Sequence, residues 1–237
     1  MDRLGRGPWE AREVRIRTGV QRDPAGSVEI SFGQTVVLVA ATVGASVPPW
    51  LQGTGRGWVT AEYAMLPGAT PERQGRTQKG RSEEIQRLVG RSLRAAVDLA
   101  ALGERLITVD CDVLQADGGT RCASITGGWV ALAMACRHLV EQGLLATSPL
   151  RRQVCALSAA IVDGEVRVDP DYPEDRRAEA DLNFVMTADG RLVEVQGTAE
   201  GEPFPEDLLR VALSRVREAL PGLLQAQQRA LQEGRFP

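Results

Sequence analysis

Strand-like and helix-like patterns of apolar residues alternate along the whole chain. Between Val28 and Met65, three segments alternate or run apolar and are separated by Gly, Pro and Ser, which predicts a β-meander. A helix is expected from about Ser82, a residue type favoured at N-caps, with Glu83 and Glu84 in its first turn. Its buried face repeats at helical spacing through Ile85, Leu88, Val89, Ser92, Ala96 and Val97.

The pattern then predicts a strand from Leu106 to Leu114, a turn, and a helix to about Leu139 that is apolar on nearly every side. That helix should be central and buried. Later strands are expected around 155–162, 165–168, 179–186 and 191–197, before a helix from Glu206 to about Leu231. A group of strands followed by a helix pair occurs twice, and no linker separates the two occurrences. We interpret this pattern as one α/β domain over residues 1–237, built of two similar halves with mixed sheets and packed helices.

The turn between the predicted strand and the central helix reads DGGTRCASITGG, from Asp117 to Gly128. A glycine-rich turn that leads into a helix leaves backbone N–H groups unpaired at the positive end of the helix dipole. Such a turn can bind an anion, and Arg121 would add a guanidinium suited to phosphate or carboxylate. Paired glycines are also common in any sharp turn, so the local pattern leaves both interpretations open.

Composition narrows the class of protein. With 237 residues and 43% hydrophobic residues, the chain can bury a full core. The N-terminus has no apolar run of signal-peptide length, and no segment approaches the roughly 18 apolar residues of a membrane span, so we expect a cytoplasmic protein without a membrane partner. The cysteines show no CxxC spacing and are expected as reduced core residues: Cys111, Cys122, Cys136 and Cys155.

The net charge of −3 disfavours a protein that coats nucleic acid, but the charge is unevenly distributed. A basic strip runs through Arg73, Arg76, Lys79, Arg81, Arg87, Arg91 and Arg94. Lys79 is the only lysine, so arginine has replaced lysine throughout the chain and many of these arginines are expected to be solvated charge. In particular, Arg87, Arg91 and Arg94 share one helix face that we expect to be exposed to solvent.

Few residues remain that could perform catalysis. His138 is the only histidine and falls inside the predicted buried helix, which disfavours histidine-based triads and metal clusters. The nucleotide P-loop pattern GxxxxGK[ST] is absent. Asp175, in a turn, and Asp181, on one face of the following strand with Asn183, could hold Mg²⁺ or Mn²⁺ through oxygen atoms. A mixed charged turn at the surface is the alternative for these carboxylates.

Four stretches resemble the ribonuclease PH family of phosphate-dependent 3′-exoribonucleases, which trim precursor tRNA. They read VPPWLQGTGRGWVTAEYAMLP, GRSEEIQRLVGRSLRAAVDL, CDVLQADGGTRCASITGG and RLVEVQGTAEGEPF, and the similarity covers nearly the whole chain. The resemblance implies a two-sheet α/β fold related to a ribosomal protein S5 domain (domain 2-like), assembled as a homohexameric ring of three dimers. It also implies phosphorolysis, in which inorganic phosphate is the co-substrate and nucleoside 5′-diphosphates are released.

The resemblance assigns residues to roles. Inorganic phosphate is expected at Arg81, Gly119, Thr120 and Arg121, and a divalent ion, expected to be Mg²⁺, at the catalytic pair Asp175 and Asp181. The loop 66–81 is about five residues shorter than is usual in the family, and Gly68 stands where the family commonly has arginine. Because this loop contacts tRNA in the family, Arg73 and Arg76 are expected to contact RNA.

Two other functions remain open at this stage. A catalytically silent RNA-binding ring subunit would be expected to lack the phosphate arginines or an acidic position, whereas this chain has Arg81, Arg121, Asp175 and Asp181. A nucleotide-dependent phosphotransferase could use the glycine turn for a nucleotide phosphate, and the missing P-loop lysine disfavours it.

Overall fold

The computed structural model describes residues 3, 5–76 and 80–234 and shows two β-sheets with helices packed on them. The strands are β1 Val14–Thr18, β2 Gly26–Phe32, β3 Thr35–Gly44, β4 Trp58–Met65, β5 Leu106–Gln115, β6 Val154–Val162, β7 Glu165–Val168, β8 Ala180–Thr187 and β9 Leu192–Ala199. The helices are α1 Arg81–Arg94, α2 Leu99–Leu102, α3 Thr120–Glu141, α4 Tyr172–Asp175 and α5 Glu206–Glu233, and a 3₁₀ turn covers Pro49–Leu51.

The first sheet has the strand order β1-β2-β3-β5-β4. Strands β1, β2, β3 and β5 pair antiparallel, whereas β4 pairs parallel with β5. The predicted meander is therefore wrong for β4. Parallel neighbours need a crossover connection, and α1 and α2 supply it between β4 and β5. Strand β1 was not predicted from the sequence; it is a short edge strand in which half-buried and exposed residues alternate.

The second sheet is antiparallel throughout, in the order β7-β6-β8-β9. All nine residues of β6, VCALSAAIV, are buried, because α3 and α5 both pack against this strand. A continuous apolar run is typical of a strand covered on both faces. This half contains one long helix and the single-turn α4 rather than a second helix pair, so the two halves resemble each other less closely than predicted.

Helix α3 lies between the two sheets and contacts β2, β3, β5 and β6. Two glycines allow this packing: a Cβ at Gly26 would lie 2.1 Å from the carbonyl oxygen of Ala131, and one at Gly127 would lie 2.7 Å from Ile30. The prediction of a central buried helix is confirmed, and one continuous hydrophobic core joins the two sheets. The N-terminus of α3 thereby lies beside the second sheet, where Arg121 of its first turn contacts Asp181 of β8.

Two further sequence predictions have different outcomes. All four cysteines are reduced and buried, as expected. His138, expected to be a core or interface histidine, is exposed in the last turn of α3 although the next residue, Leu139, is buried. It is therefore not a core residue, and a place in an interface stays a prediction. Of the basic strip, Lys79 lies outside the described residues.

No helix in the described ranges is both long and apolar enough to cross a membrane.

Candidate functional site

The turn before α3 requires glycine at two successive positions. Gly118 and Gly119 both adopt positive φ, +74° and +71°, the left-handed region that glycine enters without steric cost. A Cβ at Gly118 would lie 2.5 Å from the carbonyl oxygen of Pro170, and a Cβ at Gly119 would lie 2.9 Å from a guanidinium nitrogen of Arg12. The turn therefore lies directly against backbone from the second half of the chain.

The N-terminus of α3 is open to a ligand. Gly119 is its N-cap residue and no side chain caps it, so the first-turn amides lack intrahelical acceptors. Thr120 is buried, and the Tyr63 hydroxyl donates a hydrogen bond to its Oγ1 at 2.9 Å. The Thr120 hydroxyl hydrogen thereby remains available for an anion. Burial raises the pKa of Tyr63, which keeps this hydroxyl protonated at neutral pH.

A buried arginine that the pattern analysis missed holds the turn in place. Arg12 makes a bidentate ion pair with Asp169, from Nε to Oδ2 at 2.8 Å and from Nη2 to Oδ1 at 2.7 Å. Its remaining donors reach the carbonyl oxygens of Asp117 at 2.5 Å and Gly118 at 3.3 Å. The hydroxyl of Thr35 also donates to the Gly118 carbonyl, at 2.6 Å. We call Arg12 and Asp169 the turn clamp, because together they tie the turn to both halves of the chain.

Arg121 points toward the second sheet, in the first turn of α3. Its Nη1 lies 3.4 Å from Asp181 Oδ2 and its Nη2 lies 3.4 Å from Glu84 Oε2. The Nε atom is buried and has no hydrogen-bond partner among the described residues. Arg121 thus bridges α1 and β8 through long contacts and keeps donor capacity for a ligand.

Two aspartates line the same cavity as Arg121. Asp181 lies on β8 and accepts a hydrogen bond from the Asn183 side chain at 3.2 Å, as their shared strand face predicts. Asp175 is the last residue of the single-turn helix α4. Glu200, just after β9, lines the same cavity and was not identified from sequence, because nothing in its local pattern distinguishes it from the charged residues nearby.

The protein environment raises the pKa of both aspartates. For Asp181 the main cause is burial, which the positive charge of Arg121 and the Asn183 hydrogen bond oppose. Asp175 reaches solvent, but protein atoms in the concave wall around it desolvate its carboxylate, and the nearby charge of Asp181 raises its pKa further. Neutralising a pair of this kind at low pH, or with a cation at neutral pH, relieves the repulsion between its members.

The structure brings the six predicted phosphate and metal residues together in one cavity of about 730 Å³. These residues are Arg81, Gly119, Thr120, Arg121, Asp175 and Asp181. Arg81 is the first residue of α1 and is exposed to the cavity. A second cavity of about 490 Å³ shares Arg81, Arg121 and Asp181 as a common wall and extends along β9.

The two predicted RNA-contacting arginines lie outside this cavity. Arg73 and Arg76 are exposed, and neither lines it. Their loop nevertheless borders the cavity, because Thr70 and Gln74 line its wall and the Ala116 amide donates to the Ala69 carbonyl at 2.8 Å.

The arginine face of α1 is exposed at Arg87 and Arg91, as predicted, but the prediction is wrong for Arg94, which is half-buried. Arg91 makes a bidentate ion pair with Glu194 of β9, with a shortest distance of 2.6 Å. Arg94 stacks over the ring of Trp58, 4.3 Å from its centroid, and donates to a backbone carbonyl of β4. Arg87 and Arg91 are both exposed as expected, and Arg91 in addition has a carboxylate partner.

Comparison with known proteins agrees with this arrangement. Two models of the 3′ exoribonuclease family match the chain, domain 1 over residues 10–137 and domain 2 over residues 152–214. The chain belongs to the 3′ exoribonuclease family. Within the family it is 53% identical to ribonuclease PH of Maricaulis maris (strain MCS10) over 96% of this chain and 98% of that protein. It is 50% identical to ribonuclease PH of Synechococcus sp. (strain CC9605), with 97% and 94% covered.

Solved structures share the fold. One is the Archaeoglobus fulgidus exosome with RNA bound to the active site, where the TM-score is 0.81 at 25% identity over 92% of this chain and 89% of that one. Another is rice (Oryza sativa) Rrp46, with a TM-score of 0.80 at 18% identity over 97% and 99% of the two chains. The two-sheet architecture predicted from the resemblance is thereby confirmed.

Proposed function

We propose that this protein is a phosphorolytic 3′-to-5′ exoribonuclease, a nucleotidyltransferase that trims the 3′ end of precursor tRNA and other RNAs. One observation carries the proposal. An uncapped helix N-terminus with two arginines, and a pair of carboxylates of raised pKa, face each other across one cavity of about 730 Å³. Phosphorolysis needs both features, because it joins two phosphate groups in one place.

The arginine side of the cavity binds inorganic phosphate. The Thr120 hydroxyl, the first-turn amides of α3, Arg121 and Arg81 supply donors from three directions. The turn clamp fixes the amides before the ligand arrives, so little reorganisation is needed when negative charge develops.

The carboxylate side binds a divalent cation through Asp175 and Asp181. Mg²⁺ fits this pair, since it prefers oxygen ligands and commonly binds through one or two carboxylates with substrate phosphate and water. Among the described residues no group of three or more His, Cys, Asp or Glu side chains is arranged to hold a metal, which is compatible with so small a ligand set. When bound, the cation supplies positive charge to the phosphate oxygens.

The charges lining the cavity are balanced before substrate arrives. Arg81, Arg121 and Arg176 face Asp175, Asp181 and Glu200, also three in number. Two phosphate groups would make the site strongly negative, which favours uptake of a cation together with the substrates.

In the reaction an oxygen of inorganic phosphate attacks the phosphorus of the last phosphodiester. The bond from phosphorus to the 3′-oxygen of the preceding nucleotide breaks, and that oxygen takes a proton. The products are a nucleoside 5′-diphosphate and an RNA one nucleotide shorter. Because a phosphoester is exchanged for a phosphoanhydride, the reaction is reversible and the reverse direction adds nucleotides.

We extend the proposal to the assembly and the location. The chain folds as one domain over residues 1–237, supported by the continuous core, and assembles as a homohexameric ring of three dimers in the cytoplasm. The ring is suggested by similarity to a solved exosome structure. A catalytically silent ring subunit is disfavoured, because all four of Arg81, Arg121, Asp175 and Asp181 line the cavity.

The test is an RNA-shortening assay with a labelled precursor tRNA, with and without phosphate, and with chromatography of the products. Shortening should require phosphate and Mg²⁺ and release nucleoside diphosphates. Monophosphates released at an equal rate in phosphate-free buffer would identify a hydrolase and refute the proposal. Binding of ATP in preference to inorganic phosphate would instead favour a phosphotransferase.

A further inference from the structure

Arg121 is held less tightly by its carboxylate partners than Arg12 and Arg91 are. Both of its carboxylate contacts measure 3.4 Å, whereas Arg91 reaches Glu194 at 2.6 Å with bidentate geometry. Its Nε atom is buried and has no partner among the described residues. The guanidinium therefore lies between Glu84 and Asp181 and forms a close ion pair with neither of them.

Glu84 holds the α1 side of this arrangement. It lies in the first turn of α1, three residues after Arg81, and its backbone amide donates to the Gly80 carbonyl at 2.9 Å. The carboxylate is 53% exposed and lines the second cavity together with Arg121 and Asp181. Helix geometry thus places one negative charge within reach of Arg121, next to a cavity that is expected to receive anions.

We propose that Glu84 is a positioning residue for the phosphate site. By holding Nη2, it prevents Arg121 from folding entirely onto Asp181. Two consequences follow. The guanidinium keeps an edge directed at the phosphate position, and Asp181 keeps its charge for the cation. The inference rests on the proposed function, because it concerns the phosphate that this function requires.

A role through charge alone makes the opposite prediction. A carboxylate beside an anion site repels the anion, so removing its charge should tighten phosphate binding. A positioning role requires both the reach and the charge of the side chain, because an ion pair holds the guanidinium, so the loss of either should weaken phosphate binding. Glu84→Asp separates the two cases, because it keeps the charge and shortens the side chain by one methylene.

The experiment compares Glu84→Asp, Glu84→Gln and Glu83→Gln with the wild type, measuring kcat and the KM for inorganic phosphate on a labelled RNA. Glu83 is the matched control, since it is an exposed glutamate in the same turn and lines a different cavity, next to Arg87. Both Glu84 variants should raise the phosphate KM by about threefold to fivefold, the scale of one partly exposed ion pair. The effect on kcat should be smaller, and Glu83→Gln should leave the phosphate KM unchanged or slightly lower.

A second measurement follows binding without catalysis. Phosphate that binds the native state raises the thermal midpoint. The Glu84 variants should need about threefold to fivefold more phosphate than the wild type for the same rise. The rise is measured against the phosphate-free midpoint of the same variant, so a change in basal stability does not obscure it.

The outcomes are distinct. A phosphate KM that falls in Glu84→Gln, or that stays at the wild-type value in Glu84→Asp, would overturn the positioning role. Wild-type shortening that proceeds without phosphate would instead refute the proposed function, and the thermal shift would show whether the site binds phosphate at all.

Discussion

Arg12 and Arg121 are the same residue type on opposite sides of one glycine turn, and they are used in contrasting ways. Arg12 directs its donors to Asp169 and to backbone carbonyls at short distances, and its side chain is 6% exposed. Arg121 makes two long contacts, leaves Nε without a partner among the described residues, and faces a cavity. The difference teaches that saturation of donors, rather than residue type, separates an arginine that builds a site from one that binds its ligand.

The largest expected effect concerns Arg12. Arg12→Met should lower the free energy of unfolding by about 3–5 kcal/mol, because it leaves the buried charge of Asp169 without its partner. Denaturant titration measures this. Arg15→Met is the control: Arg15 belongs to an exposed ion pair with Glu13 and its replacement should have little effect. An equal loss of unfolding free energy in both variants would show that the buried arginine contributes no more to stability than the exposed one.

Arg121→Ala should show the reverse pattern. We expect the rate of phosphorolysis to fall by about 10²- to 10³-fold, the effect of losing one fixed donor at a developing charge, with stability close to wild type. Arg81→Ala should lower the rate in the same direction. Single-turnover assays and denaturant titration measure the two properties, and Arg87→Ala serves as an exposed arginine from the same helix as Arg81. Activity within about threefold of wild type would place the phosphate site elsewhere.

The carboxylates across the cavity give a pH-dependent prediction. Their raised pKa values mean that the folded protein binds protons more tightly than the unfolded chain at Asp175 and Asp181. The stability they contribute is therefore present at low pH and is lost as pH rises through the raised pKa. At neutral pH and without divalent ions, Asp181→Asn should raise the thermal midpoint and abolish phosphorolysis.

The matching measurements use Mg²⁺ and acid. Mg²⁺ should raise the midpoint of the wild type and have little effect on Asp181→Asn. Acidification should reduce wild-type activity at a higher pH than would be expected if activity depended on an aspartate of ordinary pKa. A variant that keeps the wild-type metal-activation curve would contradict the assignment of the cation to Asp181.

The smallest expected effect concerns arginines outside the cavity. Arg73→Ala and Arg76→Ala should each weaken tRNA binding across sequences and reduce the salt slope by about one, while cleavage of a very short oligonucleotide changes less. Gly68→Arg should raise the slope by about one, and nothing lies within 4 Å of a Cβ at Gly68 to obstruct it. Titrations at several salt concentrations decide this. Identical slopes would leave both arginines as solvated surface.

Local sequence determined much of the fold and of the ligand-facing site. The run before α3, the glycine turn and Arg121 are contiguous, so strand, turn and donor could be predicted together. The parallel pairing of β4 could not be predicted from its own pattern, because pairing is decided by the crossover through α1 and α2. His138 is not in the core, because a helix that is apolar on nearly every side can still direct some positions of its last turn to solvent: His138 is exposed although the next residue, Leu139, is buried.

The turn clamp lay beyond sequence reasoning for a physical reason. Arg12 and Asp169 are 157 positions apart, and each lies in a segment with several similar charges. Only the packing of α3 between two sheets brings them to the same turn. The residues proposed to contact the ligand were predicted from motifs. Arg12, which holds the glycine turn in place, is recognised only from long-range packing.

The clamp also sets an order of events during synthesis. A chain elongated only through α3 already contains Arg12, Arg81 and Arg121, but it has neither Asp169 nor the carboxylates of α4 and β8. Until the second sheet docks, Arg12 lacks its carboxylate partner and the glycine turn lacks the backbone of Pro170 beside it. Domains fold as units once enough chain has left the ribosome, and contacts of long sequence separation form late. A fragment that ends at α3 therefore lacks Asp169, Asp175 and Asp181 and cannot form the complete cavity.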